Sequence, residues 1–118
     1  MRRVIVLVAL ASALGVIGSA GAAPQHQTAT TAVTVKAGEF FFKLSKGSIA
    51  KPGTVVFAVK NAGHLAHDFK IAGKKTALIQ PGKSAALKVK FAKAGKYAYL
   101  CTVPGHASAG MKGRFTVG

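Results

Sequence analysis

The sequence predicts an all-β domain, a sandwich of about seven to eight short strands. Three observations predict it. Apolar residues recur at every second position in several stretches, turn residues divide those stretches, and beyond residue 22 no apolar repeat of period 3.6 is long enough for a helix. Strands of this length close as a sandwich or a barrel. Lysines on one side of the alternation fit a sandwich, with one face of each sheet buried and the other wet.

The elements follow in chain order. Met1-Arg2-Arg3 is a short positive start, and Val4 to Gly18 is almost wholly apolar. Ser19-Ala20-Gly21-Ala22 is small, and Ala20-x-Ala22 fits a cleavage site. The apolar run of 15 residues is shorter than the ~20 that a spanning helix needs. Residues 1–22 are therefore expected to be a secretory signal peptide rather than an uncleaved anchor. Residues 23–31 are polar and without period, a flexible lead, and the domain is expected over 32–118.

Val33 and Val35 share one face of the first strand. Phe40, Phe42 and Leu44 share the next, with Lys43 opposite. Val55, Phe57 and Val59 follow, then His67, Phe69 and Ile71. Leu87, Val89 and Phe91 alternate against Lys88 and Lys90. Tyr97, Tyr99 and Cys101 share a parity, as do Phe115 and Val117 against Arg114 and Thr116. Lys51-Pro52-Gly53, Asn61-Ala62-Gly63, Ala72-Gly73, Pro81-Gly82 and Ala94-Gly95 supply the turns.

The 118 residues make one domain, and with 50% apolar residues a packed core is available. The formal charge is +15. Without Arg2 and Arg3, 15 of the 17 basic residues stand against two acids, Glu39 and Asp68, a formal +13. Such a balance favours acidic partners or anionic surfaces, including anionic membrane surfaces. An exported chain has little access to nucleic acid, which is not expected as a partner. The lysines are spread along the strands, so a solvated basic surface stands beside partner steering as a reading.

Cys101 is the one cysteine, and it cannot form an internal disulfide. Its neighbours read Cys101-x4-His106-x4-Met111, a thiol, an imidazole and a thioether within one loop between two strands. Pro104, Gly105 and Gly110 let that loop turn sharply enough to converge them. Soft sulfur with imidazole suits copper, and two His with one Cys and a weak axial Met make an electron-transfer copper site. The second His has three candidates. His26 lies in the lead. His64 belongs to a turn and faces water, whereas His67 has the parity of Phe69 and Ile71 and is favoured.

Cys101-x4-His106-x4-Met111 followed by Lys112-Gly113-x-Phe115 resembles the cupredoxins, the blue-copper family of plastocyanin, azurin and rusticyanin. Asn61-x-Gly63…His67-Asp68-Phe69 is similar to that family's first-ligand strand, and Glu39-Phe40-x-Phe42 to its early strand. The likeness spans about Val33 to Val117. It implies a Greek-key sandwich holding one copper ion, with His67, Cys101, His106 and Met111 as the four ligands. It also implies that His106 is the point of electron entry and exit. Asp68 departs from the pattern, since the family often has Asn there to tie the two ligand loops. Asp68 can still accept hydrogen bonds from Thr102.

The resemblance implies a small exported electron carrier, periplasmic or extracellular and monomeric. Its expected partners are redox proteins, with acidic cytochromes or oxidases the kind its charge would suit. A copper carrier that buffers or delivers the ion would use the same ligands. A binuclear copper centre needs two bridging cysteines. An enzyme is disfavoured because four protein ligands leave no open position for substrate. A metal-free adhesive sandwich would leave the coincidence of these four residues unexplained.

Overall fold

The computed structural model of the chain describes residues 30–118. The signal peptide expected over 1–22, His26 and most of the expected lead lie outside the described residues. Nine strands form: β1 (Thr30–Gly38), β2 (Phe41–Leu44), β3 (Ser48–Ile49), β4 (Gly53–Asn61), β5 (Lys70–Ile71), β6 (Lys74–Lys75), β7 (Ser84–Phe91), β8 (Gly95–Leu100) and β9 (Lys112–Val117). They make two sheets, ordered β2-β1-β4-β7 and β3-β9-β8-β5-β6, and the chain crosses between them in the manner of a Greek key.

Two boundaries differ from the sequence expectation. Thr30 and Thr31, expected in the lead, open β1, because they continue its parallel ladder opposite Thr54 and Val55 of β4. Phe40 was expected on the face of Phe42 and Leu44, but it precedes β2 and is exposed. The strand count exceeds the expected range because β3, β5 and β6 are two residues each. Segments so short carry no readable period.

The alternation builds the core. Val33, Val35, Val55, Phe57, Val59, Val89, Phe91, Phe115 and Val117 are all buried between the sheets. Four phenylalanines lock it. Phe57 lies 5.2 Å from Phe69, 5.3 Å from Phe115 and 6.3 Å from Phe91 between ring centroids, in tilted and edge-on contacts. Aromatic pairs prefer such geometries. Removing one such ring costs about 3–5 kcal/mol, a large part of a small domain's stability of about 5–15 kcal/mol.

This rigidity fixes one end of the sandwich. β1 and β4 run parallel, so Gly38 and Asn61 finish together. β8 and β9 run antiparallel, so Leu100 and Lys112 meet at the same level. Lys70 pairs with Leu100, which brings the segment before β5 beside them. The connections that carry Glu39, His67 and the 101–111 loop therefore converge.

Candidate metal centre

Asn61 ends β4 fully buried and organises the connection that follows. Its Nδ2 donates to the carbonyls of Leu65 at 2.7 Å and Ile79 at 2.8 Å, while its Oδ1 accepts from Gly63 N at 2.9 Å. His67 then forms a two-way bridge with Ile79, N to O at 3.1 Å and 2.7 Å. These bonds turn His67 inward, where it is fully buried, and leave His64 exposed in the turn.

The 101–111 loop is closed by its own backbone. Cys101 N donates to Met111 O at 3.1 Å, Met111 N to His106 O at 3.1 Å, and His106 N to Val103 O at 3.1 Å. Gly105 and Gly110 take φ of 84° and 118°, left-handed values that other residues adopt only with strain. The loop thus returns on itself within the eleven residues 101–111.

The two segments meet. His67 Nδ1 lies 3.1 Å from His106 Nδ1, and Cys101 Sγ lies 3.6 Å from His106 Nδ1. One donor atom from each of His67, Cys101 and His106 falls within 4.8 Å of the others, and all three residues are buried. Met111 is fully buried in the same loop. Burial pushes the Cys101 thiol up, although the backbone N–H groups of Asp68 and Val103 donate to its sulfur and oppose that shift. Asp68 accepts from Thr102 N at 2.6 Å and from the Thr102 hydroxyl, so it ties the His67 segment to the Cys101 loop. The tie that Asn makes elsewhere is made here by a carboxylate and a hydroxyl.

Two residues at this end were not read as functional from the sequence. The Glu39 carboxylate reaches His67 Nε2 at 3.2 Å. Phe40 stands edge-on to the His106 ring, with centroids 5.0 Å apart. The early-strand pattern of Glu39-Phe40-x-Phe42 marked the segment, but nothing local says that it faces two imidazoles. Leu65, Phe40 and Phe41 are exposed large apolar groups, and exposed Pro104 and Ala109 belong to the facing loop.

Two facing imidazole nitrogens, a buried thiol and a buried thioether suit one copper ion, because soft sulfur and imidazole together select copper over harder cations. Fold and donor set define a blue copper protein, the class that carries single electrons. The sequence profile described as copper binding proteins, plastocyanin/azurin family, matches residues 18–118. The chain belongs to that family. It is similar to the copper-resistant cuproprotein CopI of Pseudomonas aeruginosa, 25% identical over 147 aligned positions that take in 82% of this chain and 81% of that protein. A 42-residue stretch, 36% of this chain and 18% of its counterpart, is 45% identical to auracyanin-B of Chloroflexus aurantiacus. The fold matches the reduced auracyanin of Roseiflexus castenholzii with a TM-score of 0.65 at 21% identity, over 77% of this chain and 98% of that one.

Proposed function

We propose that His67, Cys101, His106 and Met111 hold the single copper ion, and that the protein works outside the cytoplasm as a one-electron shuttle. The convergence of His67, Cys101 and His106 donor atoms within 4.8 Å carries this reading. The two Nδ1 atoms and Sγ would supply the strong donors, and the Met111 thioether would supply a weaker fourth one. When bound, copper supplies the one-electron change between its cuprous and cupric states. The chain supplies an arrangement that changes little between them. His67 is held by the Ile79 bridge and the loop by its internal hydrogen bonds, so neither needs to move when the charge changes. His106 carries the electron in and out, flanked by Phe40 and exposed apolar groups that allow close docking.

The N-terminal pattern supports export with residues 1–22 removed, into a periplasm or beyond the cell. The basic surface supports acidic redox partners such as cytochromes or oxidases, with the protein a monomer. Delivery or buffering of copper is a second reading, favoured by the similarity to a copper-resistant cuproprotein over most of both chains.

A visible spectrum of the copper-loaded protein tests the ligand set. Copper–thiolate bonding of this kind gives an intense band near ~600 nm, and Cys101→Ser abolishes it. A band that survives the substitution refutes Cys101 as ligand. Reversible redox cycling with the ion retained supports the shuttle, whereas rapid transfer of the ion to a chelator supports delivery.

A further inference from the structure

We propose that Glu39 is a positioning residue of this centre. Its carboxylate fixes the tautomer and ring orientation of His67 and at the same time holds the turn that carries it. The inference rests on His67 being a copper ligand, and it concerns what aims that ligand.

Glu39 follows β1 and is separated from His67 by 28 positions. Its Oε1 lies 3.2 Å from His67 Nε2 and accepts the backbone N–H groups of His64 and Leu65 at 2.7 Å each. One oxygen thus gathers three donors from a single four-residue stretch. The ring of His67 has only two nitrogens, and Nδ1 is the one that faces His106. A carboxylate at Nε2 keeps the ring proton there and leaves the Nδ1 lone pair free for the metal.

Two further observations support the assignment. A Cβ on Gly63 would overlap the Glu39 carboxylate, so the turn leaves room for this group. The sequence has only two acids, and both accept hydrogen bonds at segments that carry the centre, Glu39 at the His64–His67 turn and Asp68 at Thr102. The same carboxylate places a negative charge beside an imidazole that faces the ion, which favours the cupric over the cuprous state.

The test uses the apoprotein first. Long-range proton–nitrogen NMR of histidine-labelled protein at neutral pH is expected to show His67 as the Nε2–H tautomer, with the His64 and Leu65 amides protected from exchange. Glu39→Gln keeps an acceptor for those amides but removes the charge, and its NH2 can donate to Nε2. His67 is then expected as a mixture of tautomers, with the amides still protected. On copper loading, Glu39→Gln is expected to move the cupric-to-cuprous preference about tenfold toward cuprous copper, a rise of about 59 mV for one electron. Glu39→Ala is expected to lose amide protection as well. An unchanged tautomer and an unchanged potential in Glu39→Gln overturn the proposal and reduce Glu39 to a loop clamp. A wild-type apoprotein with the Nδ1–H tautomer also overturns it. Absence of the blue band from the wild type refutes the copper ligand set instead, and leaves the apoprotein measurement standing.

Discussion

The Cys101 thiol sits almost wholly out of water, and burial pushes its ionisation up despite two backbone donors at the sulfur. The apoprotein therefore carries a protonated thiol at neutral pH, while the metal requires a thiolate. Cupric binding in weak buffer is expected to release about one proton per copper, read by pH-indicator titration, and Cys101→Ser is expected to release none. No release from the wild type removes sulfur from the ligand set. Met111 sits opposite in character, a fully buried thioether that would be a weak donor if it holds the ion as proposed. Met111→Leu nearly conserves volume and is expected to cost less than about 1.5 kcal/mol of stability. It keeps copper bound and raises the potential, because the cupric state loses a donor. A lowered potential by voltammetry contradicts the axial role.

The elements around those residues were legible to different depths. Period-2 alternation marks Val55-x-Phe57-x-Val59 and Phe115-x-Val117 as inward faces, and both are buried. Cys101, His106 and Met111 lie within one loop, and the structure brings the Cys101 and His106 donor atoms together there. Parity separates His67 from His64 because the segment before β5 already alternates. Asn61 reads as a turn residue in the stretch that resembles the first-ligand strand, but its anchoring role is not legible, since it depends on carbonyls 4 and 18 positions away. Glu39 is less legible still, because the parallel pairing of β1 and β4 is what delivers it to the His64–His67 turn. These two contacts yield predictions for the element they hold. Asn61→Ala leaves buried groups without partners at about 1–3 kcal/mol each, and the apoprotein's Tm is expected to fall by about 10 °C or more. A change within a degree or two removes Asn61 from the turn's support. The Leu65 N–H, the His64 N–H and His67 hold the Glu39 carboxyl at about 2, below its ordinary 4.5, against the opposing effect of burial. Folding favours its ionised form, so its contribution is complete above about pH 4.5 and is lost as pH falls through about 2. The apoprotein's denaturation midpoint is expected to drop across that window, and less steeply in Glu39→Gln.

At the scale of the whole molecule, charge is distributed unlike anything the site requires. Lys36 stands directly opposite Lys43 on one side and Lys60 on the other, across three neighbouring strands. Lys70 faces Lys75 on the second sheet. Like charges in such cross-strand pairs destabilise a sheet. Both acids are engaged at the metal-bearing end, so neither offsets these rows. The described segment with the exposed apolar groups, Phe40, Phe41 and Leu65, carries no lysine between Glu39 and Phe42 or between Ala62 and Phe69. Repulsion is therefore greatest along the sheets and least at this exposed apolar end. Two salt responses of opposite sign follow. The screening distance falls from about 30 Å at 0.01 M to about 3 Å at 1 M ionic strength. Added sodium chloride relieves lysine repulsion in the folded sheets more than in the extended chain, so the Tm of the isolated protein is expected to rise with salt. Electron transfer to an acidic partner is expected to slow over the same range, because steering is lost. Lys36→Gln, which removes the centre of the three-lysine row, is expected to raise the low-salt Tm and flatten its salt dependence. Calorimetry and stopped-flow mixing with an acidic cytochrome over one salt series read both arms. A Tm indifferent to salt, or transfer that accelerates with it, shows that the lysines neither burden the fold nor guide the partner.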